Sequence, residues 1–200
     1  SLKYNPGPRN GGPDILNCLF VDNRTRMQGF LQEGTIAIYN SDTVIMNCTL
    51  SDNNFGILVI EGHVKIINSI LWNENCEIKT PHWYKPTIDV TYSSIRGFSI
   101  CQGDNTIINW LDGNIDAVPL FVNSAENDFR LLPYSPCIDT GDPYYVAGPN
   151  ETDLGGNPRV MDGRVDMGAY ECSYVEASMK FTPQALNLSS GGKLLKAHFV

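Results

Sequence analysis

The sequence is short of charge. Acidic and basic side chains make up 18% of its 200 residues, well under the quarter usual for a soluble domain. Its polarity has to come from neutral groups. Basic residues are the scarcer kind: 14 Lys and Arg stand against 22 Asp and Glu, a net charge of −8, and they form no block. A nucleic-acid surface needs a positive patch to displace counterions, so that class is excluded. No apolar run is long enough to cross a bilayer as a helix, and no signal peptide is recognisable. The chain opens on Ser1 rather than Met, so a leader or a longer N-terminal part is expected upstream.

Other absences narrow the chemistry. No Cys-x-x-Cys pair occurs, which argues against zinc and thioredoxin-type redox sites. There is no Gly-x-Ser-x-Gly and no phosphate loop. His63, His82 and His198 are far apart in sequence, with no ligand spacing. No stretch sustains a helical period.

What is abundant is turn chemistry: 19 Asn, 18 Gly and 12 Pro. Asn and Gly tolerate left-handed backbone and make bends without adding charge. One pattern recurs between residues 13 and 75. It reads Asp14-Ile15-Leu16-Asn17-Cys18-Leu19-Phe20-Val21-Asp22-Asn23, then Val44-Ile45-Met46-Asn47-Cys48-Thr49-Leu50-Ser51-Asp52-Asn53, then Lys65-Ile66-Ile67-Asn68-Ser69-Ile70-Leu71-Trp72-Asn73-Glu74. The Asn columns lie 47 − 17 = 30 and 68 − 47 = 21 residues apart, and a looser copy, Val90-Thr91-Tyr92-Ser93-Ser94-Ile95, follows after 24 more. Between copies stand short β-like runs, Thr35-Ile36-Ala37-Ile38-Tyr39 and Ile57-Leu58-Val59-Ile60. Periods of this size mark a solenoid.

The predicted fold is all-β, a parallel β-helix over about residues 13 to 120. Stacked coils bury one continuous core that no single repeat can bury alone. Coils about 4.8 Å apart put like residues on like. Ile15, Ile45 and Ile66 should then form an aliphatic column, and Asn17, Asn47 and Asn68 a ladder at a bend. A β-sandwich is the rival, but it does not explain why Asn-Cys/Ser recurs in register.

Three stretches resemble the C-terminal part of secreted right-handed parallel β-helix proteins of bacteria and archaea, in the broad pectate-lyase-like superfamily. They are Asn68-Ser69-Ile70-Leu71-Trp72-Asn73; Gly113 to Phe121 with Asp128-Phe129-Arg130-Leu131 and Ser135 to Asp142; and Asp153 to Arg159 with Val165 to Glu171. The resemblance implies coils over residues 1–120 and a cap over 121–172 that closes the last coils. It also implies a linker with the first strands of a β-sandwich module over 173–200. It carries little about activity.

The C-terminal segment, Phe181 to Ser190 and Lys193 to Val200, supplies one or two strands where a sandwich needs several. The natural chain is therefore expected to continue, with strand donation to another subunit as the alternative.

Six cysteines and Asn-x-Ser/Thr sequons at Asn23, Asn47, Asn150 and Asn187 point to an oxidising, extracellular setting. Cys18 and Cys48 share a column one coil apart, as a disulfide or as stacked thiols. Cys76 plus one coil lands beside Cys101, a second candidate bond. Cys137 and Cys172 remain, either paired across the cap or as small buried apolar residues.

Asp52, Glu61, Asp89, Lys65 and Arg96 could fall on one flank as an acid/base set, but match no known spacing and read as surface charges. Pro81-His82-Trp83-Tyr84-Lys85-Pro86 interrupts the strand pattern with two aromatics and a His, and sugar rings stack on such faces. His82, Trp83, Tyr84 and Arg96 are the carbohydrate candidates. The alternative for Trp83 is a lid over apolar side chains. Asp139, Asp142, Asp153, Asp162 and Asp166 lie in Gly-rich turns that could offer oxygens to Ca²⁺. Such turns also bond to their own backbone, and Asp139, Asp166 and Arg159 read as structural, the acids paired with the guanidinium. No metal site and no cofactor are expected.

The expected role is a non-catalytic extracellular or cell-surface structural or adhesion module, its partners polysaccharide or other surface proteins in an extracellular assembly. A carbohydrate-binding or polysaccharide-degrading, lyase-type β-helix is the alternative.

Overall fold

A computed structural model of the chain describes residues 11–24, 34–101 and 103–172. The tail from 173 to 200, with its expected strands, Asn187 and His198, lies outside the described residues.

The described chain is a β-solenoid of about four turns. The first coil carries β1 (Asp14–Leu16), β2 (Leu19–Val21) and β3 (Ile36–Ile38). The second carries β4 (Thr43–Met46), β5 (Thr49–Ser51) and β6 (Ile57–Val59). The third carries β7 (His63–Ile67), β8 (Ile70–Trp72) and β9 (Ile78–Lys79). The fourth carries β10 (Thr87–Thr91), β11 (Ser94–Ile95) and β12 (Ile100–Cys101), and β13 (Ile107–Trp110) opens a fifth. Corresponding strands pair in parallel, giving sheet A (β1-β4-β7-β10-β13), sheet B (β2-β5-β8-β11) and sheet C (β3-β6-β9-β12). Among the described residues, helix is limited to two short 3₁₀ segments.

The predicted register holds. Ile15 pairs with Ile45 and Ile45 with Ile66. Ile45 and Ile66 are fully buried, and Leu50, Leu71 and Ile95 on sheet B and Ile57 and Ile78 on sheet C meet them in one core.

The Asn-Cys/Ser signature has a specific cause at the corner between sheets A and B. Asn17, Asn47 and Asn68 all adopt left-handed backbone (φ 51, 55 and 48) to turn the chain, which Asn tolerates better than most residues. Tyr92 takes the same conformation in the fourth coil (φ 46). The residue after each bend then bonds to the next coil. Cys18 N–H donates to Cys48 Sγ (3.4 Å), Cys48 N–H to Ser69 Oγ (3.2 Å), Ser69 N–H to Ser93 Oγ (3.1 Å) and Ser93 N–H to Asn114 Oδ1 (3.1 Å). The cysteines do the work of serines here. Cys18 and Cys48 are accordingly free thiols, not a disulfide, and burial pushes the Cys48 thiol up to about 12.

The expected Asn ladder forms over two coils: Asn68 Nδ2 donates to Asn47 Oδ1 (3.2 Å). Its first place departs from expectation, because Asn17 Oδ1 is buried with no partner. A second Asn column stands at the corner between sheets B and C. Asn23 Nδ2 donates to Asn53 Oδ1 (2.8 Å) and Asn53 Nδ2 to Asn73 Oδ1 (2.7 Å). It ends on Glu77, which accepts from Asn73 N–H and Nδ2 and is wholly buried. One residue upstream, Cys76 is disulfide-bonded to Cys101 with Cα atoms 6.1 Å apart, as the register predicts.

Residues 121–172 pack along the side of the coils. After the antiparallel hairpin β14 (Phe121–Asn123) and β15 (Asp128–Leu131), the chain runs back along the second and third coils. Asp142 N–H donates to Asn68 Oδ1 (2.7 Å), Ala169 N–H to Thr49 Oγ1 (3.0 Å) and Asn47 Nδ2 to Tyr145 Oη (3.2 Å). Gly168 (φ +99) is required there, since a Cβ would lie 2.7 Å from Thr49 Oγ1. A second core results, with Ile70 on the outer side of sheet B packed on Leu131, Cys137 and Met167, and Cys172 against it. Cys137 and Cys172 are free and serve as small apolar residues.

The cap is built around Arg159, wholly buried. Its Nη2 donates to the carbonyls of Asp166 and Gly168 and pairs with Glu171 Oε1 at 3.0 Å. The carboxylate partner is thus Glu171, not Asp139 or Asp166. Asp166 instead accepts the N–H of Asp139 and of Cys172, and burial raises its carboxyl to about 6.

Candidate functional site

On the outer side of sheet A, coil stacking gathers polar side chains from β7, β10 and β13. Alternation along each strand sends one residue in two outward. The registers align Lys65 with Asp89 and Asp89 with Asn109. His63 begins β7 one pair away, opposite Thr87. His63 Nε2 meets Asp89 Oδ2 at 2.7 Å, and Asn109 Nδ2 donates to Asp89 Oδ1 at 2.7 Å. His63 N–H in turn donates to Asp42 Oδ1 (3.0 Å). Partial burial alone would raise the Asp89 carboxyl. The hydrogen bonds from Asn109 and His63, with the charges of His63 and Lys65, hold it below its ordinary value. Asp89 is a carboxylate fixed on both sides.

The aromatic loop borders the same sheet. Residues 80–86 connect β9 to β10 at the corner between sheets C and A, where the third coil is longer than the second. Asn105 Nδ2 donates to the His82 carbonyl (3.2 Å), and Asp104 lies 3.7 Å from His82 Nδ1. Both come from the same corner one coil on. Trp83 is 77% exposed. Tyr84 is half-buried beside it.

The remaining sequence candidates scatter. Arg96 stands at the corner between sheets B and C, donating to the Asn73 carbonyl (2.5 Å) with its guanidinium 5.9 Å from the Trp72 ring. It joins neither His82 nor Trp83. Asp52 lies at that corner too, and Glu61 is exposed between sheets C and A. Of the five proposed acid/base residues, only Lys65 and Asp89 come together.

The turn acids are bonded within the cap. Asp153 accepts from Asn157 and from Glu171 N–H, and Asp142 from Tyr144 N–H. Among the described residues, no group of three or more His, Cys, Asp or Glu side chains could hold a metal ion.

Sequence reasoning missed His63 as a partner of Asp89. They are 26 residues apart, one coil of 24 plus the two residues that separate neighbours on the same side of a strand, so the repeat period was the signal that could have joined them. No protein-family profile, curated protein or solved structure matches the chain.

Proposed function

We propose that the chain is a non-catalytic extracellular or cell-surface module that binds carbohydrate on sheet A and its aromatic loop. We also propose that it derives from the C-terminal region of a pectate-lyase-like β-helix protein. The observation that carries the binding role is the exposure of Trp83 at the corner beside the polar side chains of β7, β10 and β13. An exposed indole offers a large apolar plane for a sugar ring, and Asp89, Asn109 and Thr87 offer oxygens to its hydroxyls. The Cys76–Cys101 disulfide supports an oxidising compartment. A glycan array and affinity electrophoresis test the role. Trp83→Ala should weaken binding about tenfold without changing the melting transition, and an array with no Trp83-dependent signal rejects it.

Polysaccharide cleavage is the second reading, favoured by one observation. The contact of Asp89 with His63 Nε2 is the orienting contact a general base needs, and Lys65 lies beside it. The expected outcome is no lyase or hydrolase activity on neutral or uronic polysaccharides. Activity abolished by His63→Ala or Lys65→Ala would promote cleavage to the function. Arg96→Ala, at another corner, should change nothing.

A further inference from the structure

We infer that Asn150 is an N-glycan acceptor, the sequon among the described residues that the fold leaves open to an oligosaccharyltransferase. This rests on the extracellular reading above and goes beyond it: that reading gives the chain a compartment, and the geometry selects the site.

An N-glycan needs room and a spare hydrogen. In the transfer, Asn Nδ2 bonds to the anomeric carbon of a lipid-phosphate-linked oligosaccharide. The bond from that carbon to the phosphate oxygen breaks, and the lipid phosphate leaves with the electron pair. One Nδ2 hydrogen departs as a proton, so the product amide keeps a single N–H. The hydroxyl residue two positions on completes the Asn-x-Ser/Thr acceptor.

Three such sequences begin within the described residues, at Asn23, Asn47 and Asn150. Asn47 is wholly buried, its Nδ2 donating to Tyr145 Oη and its Oδ1 accepting from Asn68. A sugar there would have to part the second coil from the cap. Asn23 is exposed, but its Nδ2 donates to the Val21 carbonyl (3.1 Å) and to Asn53 Oδ1 (2.8 Å). Both its hydrogens are in use, and a glycan would take one of them.

Asn150 has neither obstacle. Glu151 N–H donates to the Gly148 carbonyl (3.1 Å), closing a turn in which Pro149 takes the first corner and Asn150 the second, with left-handed backbone (φ 61). That turn position asks for positive φ, which Asn tolerates. The turn is anchored through Glu151: its carboxylate accepts from Gly148 N–H (2.7 Å) and the Tyr145 hydroxyl, and its carbonyl from Arg159 N–H (3.0 Å). Asn150 itself is exposed and its side chain enters no hydrogen bond among the described residues, and Thr152 is exposed too.

Secretion of the full chain from a eukaryotic cell line decides it. Site occupancy is read by mass spectrometry after enzymatic release of glycans in heavy-oxygen water, which marks each former acceptor. In the folded fraction Asn150 should carry a glycan, with Asn23 and Asn47 bare. Asn150→Gln and Thr152→Ala should each cost the chain the mass of one glycan. A bare Asn150 in folded, secreted chain, or a glycan on Asn23 or Asn47 there, would overturn the inference and leave the extracellular reading standing. Secreted chain with Cys76 and Cys101 as free thiols would overturn that reading and the inference with it.

Discussion

The coils and the cap solve the same problem in opposite ways. Both bury polar groups, but the coils bury neutral ones that repeat, and the cap buries charged ones that occur once. At the corner between sheets A and B, each coil meets the next through one amide and one sulfur or oxygen. In the cap, Arg159, Glu171 and Asp166 form a network with no second copy. A repeated neutral contact can lose one member and keep the rest. A single ionic network cannot, because the surviving charge is left stranded in low dielectric.

The largest test of that contrast is Arg159→Met. It strands Glu171 and should destabilise by about 3–5 kcal/mol. Hydrogen exchange should rise through residues 135–171 while β4, β7 and β10 stay protected. Equal loss of protection in the coils would show that cap and solenoid unfold as one unit.

Glu77 is the one fully buried carboxyl among the described residues of the coils, and pH probes it. Burial raises its carboxyl to about 7 from an ordinary 4.5. The folded state therefore favours the protonated acid. Its contribution is fully present below pH 4.5 and is lost as the pH rises through about 7, a change of about 3 kcal/mol. Glu77→Gln should flatten that part of a urea-melt pH profile. A profile of unchanged slope would place the pH response elsewhere, with Asp166 and Glu171 the next carboxyls to substitute.

Asn47→Ala removes one rung of the ladder and one contact to Tyr145, and should cost about 1–3 kcal/mol. Chemical denaturation measures it, and a cost near that of Arg159→Met would erase the distinction between repeated and unique contacts. The smallest effect belongs to Cys48→Ser. Ser69 and Ser93 already stand in that column, so the change should stay within about 1 kcal/mol, and a larger loss would mean that the site selects for sulfur.

The coils were legible in the sequence because each repeats one geometric demand: a left-handed bend, then a small side chain with a lone pair. Tyr92 hid the fourth bend because an aromatic residue rarely takes that backbone. The column of Asn23, Asn53 and Asn73 lay inside the repeats, yet its end on Glu77 is local and broke the pattern. The cap's route was illegible for a plainer reason. Its contacts join residues 98 and 120 positions apart, as in Asn47–Tyr145 and Thr49–Ala169, and none recurs. At the candidate site, the aromatic loop announced itself by composition. The grouping of His63, Asp89 and Asn109 needed the exact coil lengths, and Arg96 was misplaced for want of them.

The corner columns also have a direction. In each, a coil's main-chain N–H donates forward to a side chain of the coil that follows, and the series stops on a residue of another kind: Asn114 in one column, Glu77 in the other. The two ends of the stack are therefore not equivalent. A coil removed from the back deprives its predecessor's amide of a side-chain acceptor, whereas one removed from the front deprives the next coil of backbone acceptors, as where Thr49 N–H meets the Cys18 carbonyl and Asn54 N–H the Asn23 carbonyl. The two ends thus ask for different finishes, side-chain acceptors at the trailing end and carbonyl groups at the leading one.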